Sequence, residues 1–227
     1  MALVQSQQIT GSGLGAECVQ AVVAFGCPSA PQSLIPNPYS LFLFPAVFQP
    51  RSLRYTHPVR VFGIDCGTEV TGFGVVETCD SDRMPRLACI AMGAIRLKRN
   101  RPLAERLGQV FNELTAEMIR WQPDAVAIED VFYSINAKSA LKLGEVRGVA
   151  LLAAANQGLK VAEYAPLSVK SSVVGYGLAK KEQVQFMVAR LLELAEPPQP
   201  ADAADALAIA ICHIHHAQTL ALQGVGR

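Results

Sequence analysis

The chain has 227 residues, 51% of them hydrophobic and 17% charged, and a net charge of +1. That length and composition suit a folded protein with one sizeable core and exclude a disordered tail. The near-zero charge gives no global field for holding nucleic acid, so any DNA surface has to come from local segregation of sign.

No apolar run reaches the roughly 18 residues a membrane helix needs. Pro45 breaks the apolar stretch 41–48 and no basic segment opens the chain, so neither a membrane partner nor a secretory signal is expected. The six cysteines, Cys18, Cys27, Cys66, Cys79, Cys89 and Cys212, form no CxxC pair and no zinc spacing. They read as reduced thiols of a cytoplasmic protein. His213, His215 and His216 look metal-like, but no second cluster accompanies them, and surface or packing roles fit better.

In chain order, residues 1–58 carry only Glu17, Arg51 and Arg54 as charged side chains, with Pro28, Pro31, Pro36, Pro38, Pro45 and Pro50 scattered through them. No helix or strand period is sustained there. The segment reads as a low-charge extension that is either disordered or a mis-assigned start, with Val59 as a GUG initiation codon. Peptides from 1–58 in mass spectrometry of the native protein would exclude that start.

From Val59 the pattern is legible. Strands are expected at 60–65, 72–77 and 87–97, joined by short turns as an antiparallel meander, the second turn at 80–86. A helix follows over 102–121, with Leu103, Leu107, Val110, Leu114 and Met118 on one face. The continuous run Ala125, Val126, Ala127, Ile128 suits a central strand at 124–129. A helix over 137–157 is apolar around more of its circumference than one sheet face needs, which suggests an oligomer interface. A strand at 160–164, a short helix at 166–174, a turn at Gly175 to Gly177 and an amphipathic helix through Val184 to Leu191 come next. Pro197, Pro198 and Pro200 stop that helix, and a last one starts near Ala201 and runs through Leu207, Ile211 and Ile214; the domain is set at 59–217, with 218–227 as a C-terminal tail. The fold class is α/β, a mixed five-stranded sheet flanked by helices.

Four acids carry the chemistry. Asp65 and Glu129 each end an apolar strand, and Asp202 and Asp205, three residues apart, share one face at the start of an alanine-rich helix. Taken singly each has an ordinary explanation: a turn cap for Asp65, a surface acid for Glu129, a helix N-terminal charge for the other two. That explanation has to be invoked four times at the edge of one core, whereas a divalent cation resolves the repulsion of a carboxylate cluster. Two Mg²⁺ ions bridged by Asp65 would activate a water and stabilise a leaving 3′ oxygen in phosphodiester hydrolysis.

The segments FGIDCGTEVTGFGVVE (62–77), AIEDVFYSINAKSALKLGEVRGVALLAA (127–154), VKSSVVGYGLAKKEQVQFMV (169–188) and ADAADALAIAICH (201–213) closely resemble the RuvC Holliday-junction resolvase family. The resemblance covers nearly all of 59–217, in order and with few gaps. It implies a ribonuclease-H-like fold, a homodimer through the helix at 137–157, and Mg²⁺-dependent symmetric nicking of four-way junction DNA. It also implies RuvA and RuvB as partners. Asp65, Glu129, Asp202 and Asp205 match the family's catalytic, metal-holding acids, although some members carry His in the place of Asp202. Lys170, Lys180 and Lys181 match its DNA-binding lysines, and Lys138, Lys142 and Arg147 are read as extending the phosphate track, with a solvated surface as the alternative for each. Phe132 matches an aromatic that stacks on a base, against the alternative of a core Phe. Two positions depart: Cys66 stands where the family usually has Pro, and Glu69 where it has a basic or neutral residue. Glu69 near the metals is read as a shift of preference toward Mn²⁺.

Three other functions compete. The GIDCGT stretch also resembles the phosphate motif of the actin, Hsp70 and sugar-kinase ATPases, which need two such domains. A family of small nucleases that trims precursor ribosomal RNA shares the opening motif. Neither accounts for ALKLGEVRG or for ADAADALAIA. A non-catalytic junction-binding module predicts that the acids are dispensable.

Overall fold

The structure, a computed structural model, describes residues 58–79, 86–130 and 137–223. The expectations for residues 1–57, for most of the 80–86 turn, for Phe132 and for 224–227 lie outside the described residues.

Among the described residues ten elements follow one another: β1 (Arg60–Asp65), β2 (Val70–Cys79), β3 (Arg86–Arg96), α1 (Leu103–Trp121), β4 (Ala125–Glu129), α2 (Ala137–Asn156), β5 (Lys160–Tyr164), α3 (Pro166–Val174), α4 (Lys181–Leu191) and α5 (Ala201–Gln223). The five strands form one sheet in the order β3-β2-β1-β4-β5. The meander β1-β2-β3 is antiparallel, and β4 and β5 add in parallel to β1. The mixed α/β sheet expected from the sequence is therefore observed. Helix α5 runs on to Gln223, so the boundary placed at 217 falls inside a helix, and residues 218–223 continue it rather than forming a tail.

Strand alternation sorts the core into two layers. Phe62, Ile64, Val75, Val126 and Ile128 face α1 and α2, whose Val110, Leu114, Met118, Val146 and Ala150 are buried against them. Val61, Val76 and Ala127 face the other way, onto α3, α4 and α5. The sheet is covered on both sides, which is why β4 reads as an unbroken apolar run.

Helix α5 is buried around most of its circumference, from Ala203 and Ala204 through Leu207, Ile211 and Ile214. Its alanines let the backbone come close, and the strands answer with glycine. A Cβ on Gly63 would stand 2.0 Å from the Ala206 carbonyl oxygen, and one on Gly72 would stand 2.0 Å from that of Asp202. Close approach to backbone is the condition that glycine alone satisfies. The first turn of α5 thus lies directly on β2, beside the end of β1.

Candidate active site

On β1, Val61, Gly63 and Asp65 share the face that α5 covers, because side chains alternate along a strand. On β4, Ala125, Ala127 and Glu129 share that same face. The parallel register pairs Ile64 with Ile128, so Asp65 and Glu129 come one step later, side by side at the C-terminal ends of adjacent strands. Asp202 and Asp205 stand over them in the first turns of α5, where the helix dipole favours acids.

The acids feel one another. Burial, then the charges of Asp205, Glu129 and Asp202, raise the Asp65 carboxyl from its ordinary 3.8 to about 7, against a smaller opposing pull from Lys181. Glu129 is raised by burial and by Asp205, and lowered by Lys170 and Lys181. Asp205 is met by the Lys181 ammonium at 2.5 Å, and this bond is the chief reason that Lys181 holds its proton more tightly than a free lysine. Asp65, Glu129, Lys170, Lys181 and Asp205 line one cleft of about 190 Å³, walled by Val169, Val184 and Ile209 among others. Asp202 is not part of that lining, although its charge reaches Asp65.

Four carboxylates are a hard, all-oxygen donor set, the chemistry that suits Mg²⁺ or Mn²⁺. As the side chains stand, no three His, Cys, Asp or Glu groups among the described residues gather about one point. The donor chemistry and the upward shift of Asp65 weigh more heavily, since carboxylates without a cation between them repel and Asp205 is turned to Lys181. The residues present fit a divalent cation.

Other expected residues separate. Lys180 is exposed just before α4, where its backbone N–H donates to Gln183 Oε1 at 2.8 Å. Lys142 is exposed on α2, away from the cleft lining. Lys138 lies in the first turn of α2, its side chain outside the description.

Arg147 departs from the expectation. Its Nε donates to the Glu129 carbonyl oxygen at 3.3 Å, and its terminal nitrogen meets Glu163 and lies 3.5 Å from Asp130. The guanidinium is thus engaged by three protein oxygens. Glu69 departs too: its carboxylate is paired with Arg99 at 2.5 Å, and it is not among the charges that act on Asp65. Cys66 is half-buried, its thiol pushed up to about 12, first by burial and then by Asp65.

The histidines sort as packing and surface groups. His213 is buried with Nδ1 2.8 Å from the Tyr164 hydroxyl, His215 meets Ser172, and His216 is exposed against the Tyr164 ring.

Comparison with known proteins decides the family. The family model described as crossover junction endodeoxyribonuclease RuvC matches residues 61–213. The chain belongs to the RuvC family. A family member from Acidobacterium capsulatum is 66% identical over 168 residues, spanning 73% of this chain and 98% of that protein. The Thermus thermophilus RuvC structure superposes with a TM-score of 0.65 at 34% identity, covering 70% of this chain and 96% of that one. T. thermophilus RuvC in complex with Holliday junction substrate gives the same TM-score at 31% identity, covering 71% and 97%. RuvC proteins are metal-dependent nucleases, so the ribonuclease-H-like fold and the hydrolase class expected from the motifs hold.

Proposed function

We propose that this chain resolves Holliday junctions in DNA recombination and repair, cutting two symmetry-related strands by hydrolysis at the cleft between β1, β4 and α5. The observation that carries the reading is the meeting of Asp65 and Glu129 at neighbouring strand ends under the acids of α5, in a chain whose relative of known structure was caught on junction DNA.

In this reading Asp65, Glu129, Asp202 and Asp205 hold two Mg²⁺ ions, with Mn²⁺ as a substitute. Bound divalent metal supplies a nucleophilic water at neutral pH and Lewis-acid stabilisation of the leaving oxygen. The carboxylates position the reacting groups, and Asp65, at the centre of the cluster, feels all three others. Lys170 and Lys181 bring positive charge to the cleft edge, where a scissile phosphate needs neutralising. Lys181 exchanges Asp205 for phosphate when the site is loaded. Lys138, Lys142, Lys180 and Phe132 are read as contacts farther along the junction. The exposed Leu141 and Leu152 on α2 support a homodimer whose two-fold axis matches that of the junction. RuvA and RuvB are the partners this reading carries.

The test is Mg²⁺-dependent cleavage of a synthetic four-way junction against linear duplex of the same sequence. The resolvase reading expects paired nicks in the junction and little cutting of duplex, and preference for duplex would overturn it. Asp65→Asn should lose cleavage while still binding the junction, which separates an enzyme from a binding module.

A further inference from the structure

Glu129 ends β4 as Asp65 ends β1, and just past it the Asp130 N–H donates to the Tyr164 carbonyl oxygen at 2.8 Å. A carboxylate at such an edge needs its backbone held from outside the ladder. The Arg147 guanidinium is in position to do so. It sits on α2 with its side chain 17% exposed, donates to the Glu129 carbonyl oxygen, and is itself held by Glu163 on β5 and by Asp130. Arginine suits the place because its planar fork of five donors serves several oxygens in fixed directions, which an ammonium does not.

The charges acting on the Glu129 carboxylate are Asp205, Lys170 and Lys181, all on the α5 side, whereas Arg147 touches the backbone of Glu129.

Resting on the nuclease reading of Glu129 above, we propose that Arg147 is a positioning residue that aims the Glu129 carboxylate by clamping the end of β4 to β5 and α2. Residues that orient metal-holding side chains without touching metal or substrate are commonly worth about 10- to 100-fold in activity or metal affinity.

The experiment uses the full chain with Arg147→Met, Arg147→Lys and Glu163→Gln. Three quantities are read: single-turnover junction cleavage at saturating Mg²⁺, junction affinity without divalent metal across a salt series, and Mn²⁺ affinity by calorimetry without DNA. Arg147→Met should slow cleavage by about 10- to 100-fold and weaken Mn²⁺ binding, with junction affinity and its salt slope unchanged. Arg147→Lys should recover part of both losses. Glu163→Gln, which loosens the clamp while leaving the guanidinium in place, should shift both in the same direction and carries the test if Arg147→Met does not fold. A weaker junction affinity with the salt slope reduced by about one, at unchanged saturated rate, would make Arg147 a phosphate contact and overturn the proposal. So would parent-like rates and Mn²⁺ binding in all three variants. A parent chain that binds Mn²⁺ but cuts no junction would sink the nuclease reading instead, and the Mn²⁺ arm would still decide whether Arg147 aims Glu129.

Discussion

Asp65 concentrates the tension in the cluster. With the carboxyl raised from 3.8 to about 7, the folded metal-free protein keeps a proton that the unfolded chain has already lost across that interval. Asp65 therefore contributes stability that is full below its unfolded value and is lost as pH rises toward 7. Between about pH 4 and 7 the metal-free parent should lose urea resistance relative to Asp65→Asn, and parallel stability curves would contradict the shift. His213 acts in the opposite sense. Burial and then His216 lower it from 6.5 to about 4, so its contribution is present above 6.5 and is lost as pH falls through 4. The two trends overlap, which is why differences between variants, rather than the parent curve, carry the test. Lys181 supplies a further check: if the side chain trades Asp205 for phosphate, Lys181→Met should reduce the salt slope of junction binding by about one.

At the scale of elements, the position of α5 governs the site, since two of the four acids ride on it. Gly72→Ala drives a Cβ into the Asp202 carbonyl oxygen and should cost about 1–3 kcal/mol, as overpacking does, while slowing cleavage further by lifting Asp202. Gly108, with open space where its Cβ would stand on exposed α1, is the control: Gly108→Ala should add about 0.4–1 kcal/mol and leave activity alone. Thermal unfolding and single-turnover rates of the pair read both effects. Most of this architecture was legible beforehand, because strand alternation and the break at Pro197 to Pro200 are local signals. The pairing of Asp65 with Glu129 was legible only as a likeness of position, both ending apolar runs. The partners of Arg147 and Glu69 were not legible for one reason. A charged residue near catalytic acids suggests the substrate or the metal, yet its partner is fixed by three-dimensional neighbours, Glu163 in one case and Arg99 in the other, that no sequence spacing announces. The domain boundary at 217 falls inside α5 because Gln218 to Gln223 carries no stop signal that would set the helix end.

The whole molecule has a charge of only +1, so the proposed junction binding would draw on local charge, such as Lys170 and Lys181 at the cleft, and on the proposed second copy of the chain. Leu141 and Leu152 are 68% and 53% exposed and lie eleven residues apart, three helical turns on one face of α2. Leu141→Glu combined with Leu152→Glu should convert a dimer to a monomer in sedimentation and abolish paired nicking while leaving the fold intact; an unchanged sedimentation coefficient would place the interface elsewhere. The parallel register that sets Ile64 beside Ile128 has a consequence for the chain as it is made. Asp65 emerges early from the ribosome and gains Glu129 as a neighbour only after a long crossover through α1. It meets Asp202 and Asp205 only once the last helix is complete. Contacts between segments so distant in sequence slow folding as a whole, and a copy truncated before α5 should lack two of the four proposed metal-holding acids. The proposed cutting centre therefore needs residues drawn from β1, β4 and α5 together, spread over 65–205 of the sequence.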